Sequence, residues 1–126
     1  MKLILEISSF QLINKISKSL EDSFEYVQVK KNTIYCSNIL DKGNSPVVRI
    51  DSKIPCKGLM MKVSNDSVEI KSIVNSTDER GLTTKVIDSI INTIPRNFKV
   101  IIDQDVSGGF WDKLILKYPN MTFEKK

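Results

Sequence analysis

Residues 68–111 read VEIKSIVNSTDERGLTTKVIDSIINTIPRNFKVIIDQDVSGGFW, and the fold is decided there. Val68 to Val74 is an extended, β-branched run that breaks at Asn75-Ser76-Thr77-Asp78, where residues that favour turns and helix caps accumulate. From Leu82 the apolar period changes. Leu82, Val86, Ile90 and Ile94 fall four apart with Ile87 and Ile91 beside them, and only a 3.6-residue period puts such a stripe on one face. Pro95 ends that helix, Lys99 to Asp103 returns as a short apolar strand, and Ser107 opens a second helix with Phe110, Trp111, Leu114, Ile115 and Tyr118 on its apolar side, closed by Pro119.

Working outward towards the N-terminus, Met1 to Ile7 reads as a first strand, with Leu3, Leu5 and Ile7 alternating. Ser8 and Gln11 then form a capping box, and Phe10, Ile13, Ile16 and Leu20 supply a helical stripe. Phe24 to Val29 and Thr33 to Cys36 look like a hairpin across Lys30-Lys31-Asn32. Asp41 to Pro46 is loop, rich in turn-formers. Val47 to Ile50, Leu59 to Val63 and Val68 to Val74 are further strands, and Met121 to Glu124 is a short last one. The order β-α-β-β-(β)-β-β-α-β-α-β predicts an α+β, or mixed α/β, class: one mostly antiparallel twisted sheet flanked by about three helices, in a single domain over 1–126.

Composition narrows the chemistry. The 126 residues contain no histidine, which removes Ser-His and Cys-His nucleophilic pairs and the commonest metal ligand together. Cys36 and Cys56 are too few for a zinc site without histidine. Glu6 interrupts the opening apolar run, so a signal peptide is not expected; a cytoplasmic location with reduced thiols is, although a disulfide stays open. No run of about 20 apolar residues is present, so no membrane span is expected. The net charge of +4 comes from 19 basic and 15 acidic residues, and the lysines are scattered. A nucleic-acid partner is weakly indicated by such a surface, because the basic residues are not gathered on one face.

The strand, the turn with Arg80-Gly81, the helix, the next strand and then Gly109-Phe110-Trp111-Asp112-Lys113-Leu114 resemble the acyl-CoA-binding half of the GNAT superfamily of N-acetyltransferases. In that family the turn reads Gln/Arg-x-x-Gly-x-Gly/Ala, and backbone N–H groups at a helix N-terminus hold the cofactor pyrophosphate. The physical basis is general: unpaired N–H groups and the positive end of the helix dipole attract an anion, and glycine lets it approach. The resemblance implies a GNAT-like fold that takes acetyl-CoA as co-substrate. It implies cofactor contacts at Ile73, Arg80, Gly81, Leu82, Thr83, Thr84 and Trp111, and a small-molecule or protein amine as acceptor.

Aligned by the helix stripe, the family pattern falls on Asp78-x-x-Gly81-x-Thr83, and one of its three marker positions matches. Asp78 replaces Arg or Gln and would repel a pyrophosphate. Thr83 replaces a small residue. Trp111 stands where many members carry the tyrosine that protonates the leaving thiolate, and an indole N–H is no comparable acid. Leu114-Ile115-Leu116 replaces the usual Leu-Gly-Phe exit.

Each marked residue has a plainer reading. Ser76 and Glu79 also form a capping box, which would start the helix a turn earlier and make Gly81 a helix-interior glycine. Glu69 is the candidate base for the amine, or a solvated outward strand residue. Asp103 and Asp105 face a ligand at a strand end or cap the helix near Ser107. Tyr118 is a substitute acid only if the helix end allows it. Trp111 belongs to an apolar stripe and so to the core. The alternative to acetyl transfer is a catalytically silent GNAT-fold module that binds a protein or nucleic acid, of the kind found among phage or mobile-element accessory proteins. A homodimer is compatible with either.

Overall fold

The computed structural model describes residues 2–49, 53–103 and 109–126, with the side chains of 2–9 left aside. Among these, the elements follow in order: α1 (Lys2–Leu20), β1 (Tyr26–Lys30), β2 (Thr33–Ser37), β3 (Lys57–Val63), β4 (Ser67–Asn75), α2 (Leu82–Thr93), β5 (Lys99–Ile102), α3 (Phe110–Ile115) and β6 (Thr122–Lys125). The strands lie in the sheet in chain order. β1 to β4 form an antiparallel meander, and β4, β5 and β6 run parallel to one another. Parallel neighbours need a crossover, and α2 and α3 supply the two. The class is α+β, with a six-stranded mixed sheet and three helices.

Strand alternation sorts the sheet into two faces. Ile34, Cys36, Leu59, Met61, Val63, Val68, Ile70, Val100 and Ile102 point to one side and join a single buried cluster with Ile13, Ile16 and Leu20 of α1, Leu82, Val86, Ile87 and Ile90 of α2, and Trp111 and Leu114 of α3. The helices therefore cover one face. Lys62, Glu69 and Ile101 lie between those buried positions and point to the other. In β4 the alternation has to change phase to keep Ile73 inward. It does so by a bulge: the register steps from Met60↔Ser72 to Met61↔Ile70, leaving Lys71 as the extra residue, and Ile73 then faces the core opposite Leu59.

The expected first strand is absent, because residues 2–20 form one helix that runs through Ser8. Leu3, Leu5 and Ile7 alternate, but Ile4 fills the gap between them and lysine, leucine and glutamate are good helix formers, so the segment extends the stripe that follows it. Val47 to Ile50 is also no strand over its described residues 47–49. Val47 instead gives its carbonyl to the Ser37 hydroxyl at 2.5 Å and to the Cys56 thiol at 3.2 Å. This loop lies so close to β3 that a Cβ on Gly58 would stand 3.2 Å from the Val48 Cα and from the Cys36 carbonyl oxygen, which is why a glycine sits there.

Both cysteines are free and buried. Burial pushes the Cys36 thiol up to about 12, which makes it a core residue rather than a nucleophile. Among the described residues no helix is long and apolar enough to cross a membrane.

Candidate functional site

The end of β4 and the start of α2 are joined by a turn that its own side chains build. The Asn75 side-chain amide donates to the Glu79 carbonyl at 2.8 Å, while its oxygen accepts the Thr77 N–H at 3.1 Å. The Thr77 hydroxyl accepts the Glu79 N–H at 3.2 Å. Ser76 is tied outward, not to the helix: its N–H donates to the Cys56 carbonyl at 2.8 Å, and its hydroxyl accepts the Cys56 N–H at 2.8 Å. The Ser76–Glu79 capping box does not form, and the helix begins at Leu82.

Gly81 is the N-cap of α2, at φ 75, in the left-handed region where a side chain is strained. It is a turn glycine, and the helix-interior reading is set aside. No side chain caps the helix, and its first intrahelical bond runs from the Lys85 N–H to the Gly81 carbonyl at 3.0 Å. The N–H groups of Leu82, Thr83 and Thr84 meet no acceptor among the described residues. They open on a cleft of about 460 Å³ lined by Asn75, Thr77, Asp78, Glu79, Arg80, Gly81, Leu82, Thr83, Thr84 and Phe110. Such a helix start favours an anion.

The charges around the cleft are mixed. Glu79 is drawn to Lys57, whose ammonium lies 3.0 Å from it and 3.5 Å from Glu25. Arg80 is exposed and forms no ion pair among the described residues, so its guanidinium is available to a ligand in the cleft. Asp78 is exposed on the same wall and opposes an anion there.

Of the predicted cofactor residues, the structure brings Arg80, Gly81, Leu82, Thr83 and Thr84 to one cleft. Ile73 packs against the core instead. Trp111 is 4% exposed and meets Phe110 edge to face, the ring centroids 5.5 Å apart, so Phe110 is the aromatic that reaches the cleft. The signal for this was available in sequence: a stripe that puts Trp111 and Leu114 inward leaves Phe110 at the rim.

Glu69 lies elsewhere. It is near the start of β4, roughly 20 Å along the strand from the turn at about 3.3 Å per residue. Its carboxylate is held between two ammonium groups, Lys71 and Lys126, each at 2.9 Å. Hydrogen bonds from Lys126 and then Lys71 pull its pKa below the ordinary glutamate value, which makes it a weaker base. Asp103 stands 3.9 Å from the same Lys126. Tyr118 is half-buried and its hydroxyl has no hydrogen-bond partner among the described residues. Asp105 and Ser107 lie outside the described residues. No family model, no curated protein and no solved structure matches this chain.

Proposed function

We propose that this chain is a GNAT-like N-acetyltransferase that binds acetyl-CoA at the start of α2 and moves its acetyl group to an amine. The observation that carries the reading is the Gly81 turn: three helix-start N–H groups without acceptors, beside an exposed Arg80, open on one cleft. That arrangement suits a pyrophosphate, and Phe110 on the cleft wall would offer an apolar surface to the rest of the cofactor. The amine nitrogen would then attack the thioester carbonyl carbon, the C–S bond would break with CoA leaving as thiolate, and the acylated nitrogen would give its proton to water to leave the neutral amide.

Positioning has to carry most of such a reaction here. Glu69, the carboxylate expected to take the amine's proton, stands roughly 20 Å along β4 from the turn, and its two lysine partners make it a poor base. Trp111 supplies no proton to the thiolate. The acceptor must therefore arrive as the free amine, and turnover should rise with pH through the acceptor's own pKa. The test is CoA release from acetyl-CoA by the wild-type protein across a panel of amines. Release that requires both substrates supports the reading, and no release with any amine sinks it.

A second reading keeps the fold and loses the cofactor site, leaving a binding module for a protein or nucleic acid. It is favoured by one arrangement: the only strand carboxylate assigned as base is locked between Lys71 and Lys126. No acetyl-CoA binding and no CoA release with any amine is its signature.

A further inference from the structure

The two edges of the sheet differ. On β6, Lys125 is paired with Asp112 and Glu124 with Lys99, so its charged side chains are engaged within the chain. The β1 edge leaves Tyr26 40% and Val29 42% exposed, while the polar side chains of Glu25 and Gln28 reach inward, Glu25 to the Lys57 ammonium at 3.5 Å and the Gln28 amide donating to the Asn44 carbonyl at 2.9 Å.

The hydrogen-bond phase of that edge follows from the register. The Val63 N–H donates to the Asn32 carbonyl at 2.8 Å, which makes Thr33↔Lys62 a pair that exchanges no bonds of its own. Thr33 therefore turns its N–H and carbonyl to Lys30, its partner across the hairpin. Counting back by two, Gln28 and Tyr26 also bond to β2, and Val27 and Val29 present theirs outward. No described residue bonds to these outward groups. Neither a proline nor a bulge interrupts β1, so the usual guards of an edge strand are missing.

We propose that β1 pairs antiparallel with β1 of a second copy of this chain, about a two-fold axis through Gln28. The sequence is complementary to itself in that register. Val27 faces Val29 of the second copy, and each such pair exchanges two N–H···O bonds, four in all across the two-fold. Tyr26 faces Lys30, and beyond the strand ends Glu25 of one copy lies towards the hairpin turn that carries Lys31 of the other. The edge is charged oppositely at its two ends, with Glu21, Asp22 and Glu25 exposed before β1 and Lys30 and Lys31 exposed after its middle. Antiparallel apposition sets acid against base at both ends, whereas a parallel one sets lysine against lysine. The side chains of Val27 and Val29 share the helix-covered side of the sheet, in register with Cys36 and Ile34, so the exposed Val29 gains an apolar neighbour. A contact this short makes a weak, reversible dimer. It is independent of the acetyl-transfer reading.

Sedimentation equilibrium of the full chain from about 10 μM to about 1 mM spans the range a small interface requires. The expected result is a concentration-dependent monomer–dimer equilibrium. Val29→Pro removes an outward N–H and no bond to β2, and should weaken the dimer at least about tenfold with an unchanged circular dichroism spectrum. Lys31→Glu should weaken it about tenfold, since the reversed charge acts twice across the axis. The double variant Glu25→Lys/Lys31→Glu should associate more tightly than Lys31→Glu, with Glu25→Lys alone as the control for its lost contact to Lys57, and it decides the matter if Val29→Pro does not fold. A monomer throughout the range, an unchanged dimer in folded Val29→Pro, or a double variant as weak as Lys31→Glu would each overturn the proposal.

Discussion

Cys56 and Ser76, twenty residues apart in sequence, hold each other by a reciprocal pair of hydrogen bonds: the Cys56 N–H donates to the Ser76 hydroxyl and the Ser76 N–H donates to the Cys56 carbonyl, both at 2.8 Å. This clasp joins the lead-in to β3 to the turn that presents Gly81. Ser76→Ala leaves the buried Cys56 N–H without its acceptor, which should cost about 1–3 kcal/mol in urea unfolding. It should also weaken any ligand of the cleft, because the turn keeps only the backbone half of the clasp. Unchanged stability would mean that water replaces the hydroxyl.

Ile90 is 1% exposed in the middle of the α2 stripe. Ile90→Ala should lower the unfolding free energy by about 2–5 kcal/mol, as truncation of a fully buried aliphatic side chain does. A melting temperature left unmoved would show that the helix does not seat on the sheet through this residue.

Glu69 sets a pH dependence of folding. Its carboxyl is held below the ordinary glutamate value by Lys126 and Lys71, so its contribution is fully present above the ordinary carboxylate range and is lost as pH falls through the depressed value. The stability difference between wild type and Glu69→Gln should therefore shrink as pH falls below the ordinary glutamate range. Added salt should shrink it too, since Lys126 is exposed. Urea midpoints at several pH values report both. A difference that stays constant as pH falls through and below that range would mean the lysines do not act on this carboxylate.

Asp78 lines the cleft that Arg80 and the α2 start make attractive to anions. Asp78→Arg removes a like charge and adds an opposite one, and should tighten acetyl-CoA several-fold at low salt, less so as salt rises. No gain at any salt concentration would mean that Asp78 points away from the phosphates.

The α2 stripe was readable because Leu82, Val86, Ile90 and Ile94 admit one period only, and all four are buried together with Leu114. The strands of the meander were readable for the same reason. The opening segment was not: with Leu3, Ile4, Leu5 and Ile7 apolar, a strand period and a helix period both fit, and the backbone continues as one helix into the stripe that follows. The start of α2 offered two caps, and the choice rested on Cys56, which sequence order does not connect with Ser76. Glu69 posed the same difficulty, because Lys126 reaches it from 57 positions away. Val47 to Arg49 has strand-forming valines, yet its partners Ser37 and Cys56 take it as a loop. Alternation marks a residue as outward; it says nothing of the ion pair waiting there.

The central claim is that an acyl-CoA phosphate group sits on the Gly81 turn, and isothermal titration of the protein with acetyl-CoA tests it most directly. The account predicts one site on the wild-type protein. A Cβ at Gly81 meets nothing within 4 Å, so the obstacle to substitution is the positive φ and the shielding of the N–H groups, not space. Gly81→Asn, which tolerates the left-handed region, should keep most of the affinity, while Gly81→Val should lose it with the fold retained. Absence of binding by the wild-type protein, or a Gly81→Val variant that binds as tightly, would contradict the account.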